Sequence, residues 1–171
     1  MPPETVVERS GQAQALNGLI EACESLLRRH ATPVVVFDVD DTLFSTAARH
    51  IKILREFAGR AEVRRRWLNE AWTLARVSAH QLKYSIHDTA AEAGISRPEL
   101  IEDLKAFWFE RFFTNDYIVV DEPLAGAVEY CRALRELGAL LVYMTGRDEA
   151  MRLGTERALA VRGFPLPAQG G

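Results

Sequence analysis

Two carboxylates separated by one residue come directly after a short apolar run of this 171-residue chain: Asp38 and Asp40 follow residues 34–37. Asp38 could attack phosphorus as a nucleophile and form an aspartyl-phosphate. Asp40 could protonate the leaving group as a general acid and then activate the hydrolytic water as a general base. Such chemistry needs a hard divalent cation, and Mg²⁺ prefers carboxylate and carbonyl oxygens. The spacing therefore indicates metal-assisted phosphoryl transfer, with Thr42 tying the loop through a local hydrogen bond to the backbone.

A second candidate element is Thr145-Gly146-Arg147, which follows another apolar run, residues 139–144. The Thr145 hydroxyl could hydrogen-bond a phosphate oxygen, and Gly146 would let the phosphate come close to the backbone. A helix that begins near Asp148 would direct its positive dipole end towards the same place. A plain helix cap at Thr145 and Gly146 is the alternative. Arg147 could equally contact phosphate or form a surface salt bridge.

The two apolar runs predict strands that are buried on both faces, as in a parallel sheet. Ligands of α/β sheets bind at the carboxyl ends of the strands. We therefore expect Asp38, Asp40 and Thr145 to meet at one edge of the sheet. Elsewhere the sequence predicts helices over residues 12–29, 123–137 and 148–161, the second of them opened by Asp121-Glu122-Pro123. It also predicts one short extended segment over residues 117–120.

The region between the two motifs, from residue 47 to about residue 113, is predicted to be wholly helical. Gly94 is expected to end one helix. Ser96-Arg97-Pro98-Glu99 predicts the start of the next, through a capping box with a proline in the first turn. Five aromatic side chains near the end of this region are interpreted as core: Phe107, Trp108, Phe109, Phe112 and Phe113.

Both motifs carry a resemblance to a known family. Residues 34–44, VVVFDVDDTLF, resemble the first motif of the haloacid dehalogenase (HAD) superfamily, and residues 140–147, LLVYMTGR, are similar to its second motif. The resemblance implies an α/β fold with a HAD-like Rossmannoid parallel-sheet core. It also implies an inserted helical cap over residues 46–116, which leaves 1–45 and 117–171 as the core.

The family's chemistry is carried over residue by residue. The resemblance implies a phosphatase-type hydrolase that cleaves phosphate monoesters of small substrates with Mg²⁺. Asp38 would be the nucleophile and a metal ligand. Asp40 would be the acid/base and would offer its backbone carbonyl to the metal. Thr145, with Gly146, would bind the transferring phosphoryl group.

The family pattern also requires a lysine and one or two further acids after the second motif. No lysine follows Thr145, and no acid stands at a later strand end; those present are Asp148, Glu149 and Glu156. Lysines of the cap are the substitutes to consider, namely Lys52, Lys83 and Lys105. Because only two strands are predicted, we expect a fragment or trimmed version of a longer gene product, or a degenerate paralogue. The alternative function is a catalytically inactive HAD-like protein that acts as a binding module or has no function.

Two other interpretations of the acids are weaker. Asp38, Asp40 and Thr42 have the first-third-fifth spacing of a calcium loop, but Leu43 stands where that loop needs glycine and Arg49 where it needs glutamate. The acids could also be turn and cap residues only, as is expected of Asp41. Three histidines of the predicted cap are interpreted as solvated or packing residues: His50, His80 and His87.

Composition excludes several classes of protein. Apolar residues make up 48% and charged residues 26% of the chain, with a net charge of −3, which is typical of a globular domain and not of a disordered chain. Cys23 and Cys131 are expected to be buried free thiols, which favours a reducing cytoplasm. No apolar run is long enough to span a membrane. Arg64-Arg65-Arg66 is interpreted as a solvated helix face and not as a nucleic-acid contact. The open edge of a two-stranded sheet would allow self-association.

Overall fold

The computed structural model describes residues 4–166, with side chains over 11–166. The sequence predicts disorder at residues 168–171, which lie outside the described residues. Helices dominate and two pairs of short strands join them. In chain order the elements are α1 (Glu4–Arg28), β1 (Val34–Asp38), β2 (Phe44–Ser45), α2 (Ala47–Gly59), α3 (Ala61–Arg66), α4 (Leu68–Ala75), a 3₁₀ turn (Ala79–Gln81), α5 (Ile86–Glu92), α6 (Pro98–Phe112), α7 (Asn115–Ile118), β3 (Glu122–Pro123), α8 (Ala127–Leu137), β4 (Leu140–Met144), a second 3₁₀ turn (Glu149–Met151) and α9 (Arg152–Arg162).

The two motif strands pair with each other, as the sequence predicts. β1 and β4 are parallel, in a register that sets Val34 opposite Leu140 and Asp38 opposite Met144. Both strands therefore end at the same edge. A smaller antiparallel pair, β2 with β3, ties the chain that leaves the first motif to the chain that returns before α8.

The prediction that these strands are buried on both faces is wrong for the described residues. Val35 and Leu141 are buried, whereas alternate side chains on the opposite face are 38–58% exposed: Val34, Val36, Leu140 and Val142. Helices α1 and α8 contribute to the core on the covered side. A continuous apolar run thus forms a sheet with one covered and one open face, because strands of period two present alternate residues to opposite sides.

The buried apolar residues form two clusters. One is built on the sheet and includes Cys23, Val39, Phe44 and Cys131, so both cysteines are buried free thiols as predicted. The other lies in the helical insert, which we define as α2–α6, residues 47–112. Its members alternate at helical spacing along α2, α3, α4 and α6, and include Leu54, Phe57, Val63, Trp67, Leu74 and Leu104.

Several local predictions are corrected. The segment expected to be extended, 117–120, begins instead with the end of α7, and Glu122–Pro123 is a strand rather than the start of a helix. The capping box expected before α6 is absent, since Arg97 is the N-cap residue and caps with no side-chain bond, although Pro98 does occupy the first turn. Gly94, Gly138 and Gly163 follow helices in the left-handed region, as a helix-terminating glycine should.

Surface features agree in part with expectation. Arg64, Arg65 and Arg66 are exposed on α3. Within residues 4–166, none of the helices combines the length and the apolar character needed to cross a bilayer. A cytoplasmic location, the absence of nucleic-acid binding and self-association through the sheet edge stay predictions.

Candidate active site at the strand ends

Buried apolar side chains fix the loop after β1. Val39, Leu43 and Phe44 are each at most 3% exposed. The amide groups of Leu43 and Phe44 both donate to the Val39 carbonyl at 3.0 Å, and Leu124 N–H donates to the Leu43 carbonyl at 2.9 Å. Burial of Val39 leaves Asp38 and Asp40, the residues on either side of it, to face outward. The apolar residue between the two acids therefore sets their direction.

Asp38, the predicted nucleophile, is exposed at the end of β1. Its Oδ2 accepts a hydrogen bond from Thr42 Oγ1 at 3.0 Å. Thr42 was expected to bond the backbone, and it instead orients the carboxylate itself. This contact holds one carboxylate oxygen and leaves the other available to a ligand.

The second motif ends beside the first. Thr145 follows the residue paired with Asp38, and its Oγ1 lies 3.4 Å from Asp40 Oδ2. The same hydroxyl accepts the Arg147 backbone N–H at 3.2 Å. A Cβ placed on Gly146 would meet no heavy atom within 4 Å. The backbone at Gly146 thus faces open space where a ligand could approach.

Arg147 makes the densest set of polar contacts at this edge. Its Nη2 donates to Asp40 Oδ1 at 2.6 Å, and its Nε lies 3.0 and 3.2 Å from the two oxygens of the same carboxylate. Nη2 also donates to Asp121 at 2.9 Å, and Nη1 to Thr155 at 2.9 Å. The side chain is only 5% exposed. Arg147 is therefore a buried partner of Asp40 and not part of a surface salt bridge, and the phosphate contact stays a prediction.

A second arginine reaches the same acids from the helical insert. Arg49, on α2, is 1% exposed and forms a two-pronged pair with the fully buried Asp121, with Nε donating at 2.9 Å. Its Nη2 lies 3.6 Å from Asp40, and its Nη1 donates to the Phe112 carbonyl at 2.9 Å. The guanidinium also stands 4.3 Å over the Phe112 ring. Arg49 thus links the start of α2 to the end of α6, the returning chain and the candidate acid/base.

Burial shifts the ionisation of two groups near the site. Removal from water raises the pKa of Asp121, while the guanidinium groups of Arg49 and Arg147 oppose this rise. Burial, with the positive charge of Arg49 beside it, lowers the pKa of His50 to about 4. His50 is thus neutral at pH 7, stacked on Trp108, whose indole N–H donates to His50 Nδ1 at 3.1 Å.

A cleft of about 1190 Å³ lies between this edge and the helical insert. Asp40, Gly146 and Arg147 line it from the sheet side. The insert contributes aromatic and basic side chains, namely Tyr84, Trp108, Phe109, Phe112, Lys83, His87 and Lys105, and Phe113 follows directly after it. Among the described residues that line the cleft, Asp38 and Thr145 are not included. Of the five aromatic residues expected in the core, Phe107 is buried, and Trp108 and Phe112 are partly buried against the same cluster while also lining the cleft. Phe109 and Phe113 are exposed at the cleft.

Other expected contributions fall elsewhere. The α-helix that was to direct its dipole at the site begins at Arg152, after a 3₁₀ turn, and Asp148 makes no side-chain cap. Asp41, with a φ of 54°, accepts the Thr46 N–H and hydroxyl at 3.2 Å and so fixes the start of α2. Lys52 lies 4.4 Å from the centre of the Tyr117 ring, and Lys83 pairs with Glu92 at 3.4 Å.

The donors at the strand end match the chemistry of Mg²⁺. Asp38 supplies a carboxylate and Asp40 a backbone carbonyl, both hard oxygen ligands. Mg²⁺ commonly takes only one or two protein carboxylates and completes its shell with water and substrate phosphate. Among residues 4–166, no three His, Cys, Asp or Glu side chains cluster as a metal site. The residues present therefore fit a magnesium ion that is held in part by its substrate.

A family model for haloacid dehalogenase-like hydrolases matches residues 32–163. The chain belongs to this family. The matched span covers both motif strands and the helical insert of this HAD-like hydrolase, whose α/β core is the small parallel sheet of β1 and β4. Comparison with curated proteins and comparison with solved structures give no match.

Sequence reasoning missed two residues of the HAD-like site, Arg49 and Asp121. The sequence patterns identify Arg49 only as a mismatch to a calcium loop, and Asp121 only as a residue that opens a helix. One signal was available in the sequence, namely a charged residue at a position whose spacing places it among buried apolar residues. Such a residue is seldom buried unless another charge pairs with it. Their pairing spans 72 positions of the chain, which no local pattern expresses.

Proposed function

We propose that this HAD-like hydrolase cleaves phosphate monoesters of small substrates through an aspartyl-phosphate on Asp38. The parallel register of β1 and β4 is the observation that carries the proposal, because it pairs Asp38 with Met144, the residue before Thr145. The outward position of Asp40 and the open space at Gly146 support it further.

The reaction would occur in two displacements. A carboxylate oxygen of Asp38 attacks phosphorus, the bond from phosphorus to the ester oxygen breaks, and Asp40 gives its proton to the departing alcohol. Asp40, now ionised, takes a proton from water as that water attacks the phosphorus of the aspartyl-phosphate. The acyl-phosphate bond breaks, inorganic phosphate leaves and Asp38 is restored.

The remaining residues would bind and orient the phosphoryl group. Thr145 offers its hydroxyl, and Gly146 leaves its backbone accessible to a phosphate oxygen. Asp38 and the Asp40 carbonyl would hold Mg²⁺, which supplies positive charge against the phosphate when it is bound.

Residues 46–116 would act as the cap and residues 1–45 and 117–171 as the core. The cleft between strand ends and insert supports this division, since a small ester would lie in it with its leaving group against the aromatic side. Trp108 and Phe112 are stacked at 4.4 Å between ring centres, which gives that side a fixed apolar surface.

Hydrolysis of 4-nitrophenyl phosphate by the full chain, with Mg²⁺ or with excess chelator, tests the proposal. We expect Mg²⁺-dependent release of nitrophenolate that Asp38→Asn abolishes. Asp103→Asn, which removes an exposed carboxylate on α6, is the matched control and should retain full activity. Unchanged turnover in Asp38→Asn would refute the nucleophile. A folded wild-type chain without turnover would instead support the inactive binding module.

A further inference from the structure

Four charged groups form one buried array at the junction of the sheet edge and the helical insert. Arg147 bonds both Asp40 and Asp121, and Arg49 pairs with Asp121 while lying 3.6 Å from Asp40. Asp40 is the outermost member, 36% exposed, and the other three side chains are at most 5% exposed. The array therefore has one end in the cleft and three members in the interior.

Asp121 does not line the cleft, and Arg49 and Arg147 border it with side chains that are at most 5% exposed, so the cleft alone does not account for these buried charges. Burying a charge is costly unless it is paired and hydrogen-bonded. Two guanidinium groups cannot both be neutralised by Asp121, which carries at most one negative charge. Asp40 supplies the second negative charge when it is ionised, and its contacts with Arg147 balance the array in that state.

We propose that Asp121, acting through Arg147 and Arg49, is a positioning residue that holds the Asp40 carboxylate at the reaction edge. This inference rests on the proposed role of Asp40 as acid/base. The planar fork of Arg147 fixes the carboxylate with two nitrogens, and Asp121 and Thr155 fix the fork in turn. A single arginine without Asp121 would keep its charge but lose its orientation.

The same array joins the site to the insert. Arg49 belongs to the first helix of the insert, Phe112 ends its last helix and Asp121 lies on the chain returning to the sheet. A shift of the insert relative to the sheet would therefore move a partner of Asp40. The array couples the position of the insert to the proton-transfer residue.

Leaving-group dependence separates this role from a purely structural one. Phenyl phosphate and 4-nitrophenyl phosphate share an aromatic ring, but phenolate is the poorer leaving group and depends more on a general acid. We expect Asp121→Asn to lower kcat for phenyl phosphate at least tenfold, with kcat for 4-nitrophenyl phosphate lowered less than threefold and KM changed less than twofold. Glu122→Gln, which breaks the exposed 2.8 Å pair with Arg162, is the matched control and should change neither ester. Equal losses for both esters, or no loss, would overturn the proposal.

A second variant and a second readout keep the test decisive. If Asp121→Asn does not fold, Arg147→Lys retains the charge without the fork and should show the same selective loss on phenyl phosphate. If the wild-type chain hydrolyses neither ester, the proposed function fails and thermal unfolding judges the array alone. Asp40→Asn should then lower Tm more in the Asp121→Asn background than in the wild type, because no carboxylate of the array remains to compensate the buried arginines. In the Arg147→Lys background it should lower Tm less than in the wild type, because lysine lacks the fork that holds Asp40. Equal changes of Tm would refute the array.

Discussion

Arg147 Nη2 lies 2.6 Å from Asp40 Oδ1, although the two residues stand 107 positions apart in the chain. The contact joins the loop after β1 to the loop after β4, so each of the two family motifs fixes a side chain of the other. Arg147 in turn contacts Asp121, which fixes Arg49 of the helical insert. Stability and chemistry of the site therefore depend on the same few charges.

Loss of Arg49 should destabilise the fold strongly. Arg49→Met removes a guanidinium that is 1% exposed and leaves the buried Asp121 with Arg147 alone. Breaking a buried pair by removing one partner typically costs about 3–5 kcal/mol. Because Asp121 keeps its pair with Arg147, we expect the free energy of unfolding to fall by about 3 kcal/mol. Urea unfolding measures it. Arg152→Met, which breaks only exposed pairs with Glu149 and Glu156, should leave the free energy of unfolding nearly unchanged, and an equal loss in both variants would contradict the burial argument.

Two glycines give opposite expectations for the same substitution. A Cβ on Gly154 would lie 2.7 Å from the Asn115 backbone, where α9 crosses α7, so Gly154→Ala should cost about 1–3 kcal/mol through overpacking. A Cβ on Gly146 meets open space, so Gly146→Ala should keep its Tm while raising KM for 4-nitrophenyl phosphate. Thermal unfolding and steady-state kinetics of both variants decide this. A loss of Tm in Gly146→Ala would mean that the position is structural.

The free energy of unfolding should fall in acid because of His50. Its folded pKa of about 4 lies below the ordinary value of 6.5, so between these pH values the unfolded chain binds a proton that the folded chain does not. The contribution is complete above pH 6.5 and is lost as pH falls towards 4, by about 2–3 kcal/mol. Urea unfolding at pH 7 and at pH 4.5 measures the difference. His50→Phe should reduce this pH dependence and the exposed His87→Asn should not; an unchanged pH dependence in His50→Phe would contradict the shift.

Both thiols should resist modification in the folded state. Cys23 and Cys131 are 3% and 0% exposed, and burial raises the pKa of Cys131 to about 11. The thiolate is the reactive form, so alkylation at pH 8 should be slow until denaturant unfolds the chain. Mass spectrometry after a timed pulse of iodoacetamide follows both sites. Rapid labelling of Cys131 without denaturant would show that this part of the core opens.

The placement of Asp38 and Thr145 could be predicted from sequence, because two apolar runs followed by polar residues imply parallel strands that end at one edge. Local rules of this kind also located the glycine-terminated helices. They failed at Tyr117, where the predicted extended segment is the end of α7, and at Pro123, where the pairing of β3 with β2 overrides the helix signal. They also treated the continuous apolar runs as doubly buried strands, since sequence alone does not show how many layers cover a sheet.

The array and the cleft depend on contacts that no local pattern contains. Arg49 and Asp121 meet across 72 positions and Arg147 and Asp40 across 107. The aromatic residues of α6 carry helical spacing whether they face a core or a cleft, so Trp108 and Phe112 could not be distinguished from Phe107. The HAD resemblance supplied roles for Asp38 and Asp40 but no partner for either side chain.

The most direct measurement is the location of a phosphoryl group during turnover. The full chain is mixed with 4-nitrophenyl phosphate and Mg²⁺, quenched in acid within the first turnover and digested for mass spectrometry. We expect one phosphoryl group on the peptide that carries Asp38, and none in Asp38→Asn. Turnover of the ester with no phosphoryl group on Asp38 under these conditions, or an equal yield from Asp38→Asn, would contradict the aspartyl-phosphate mechanism.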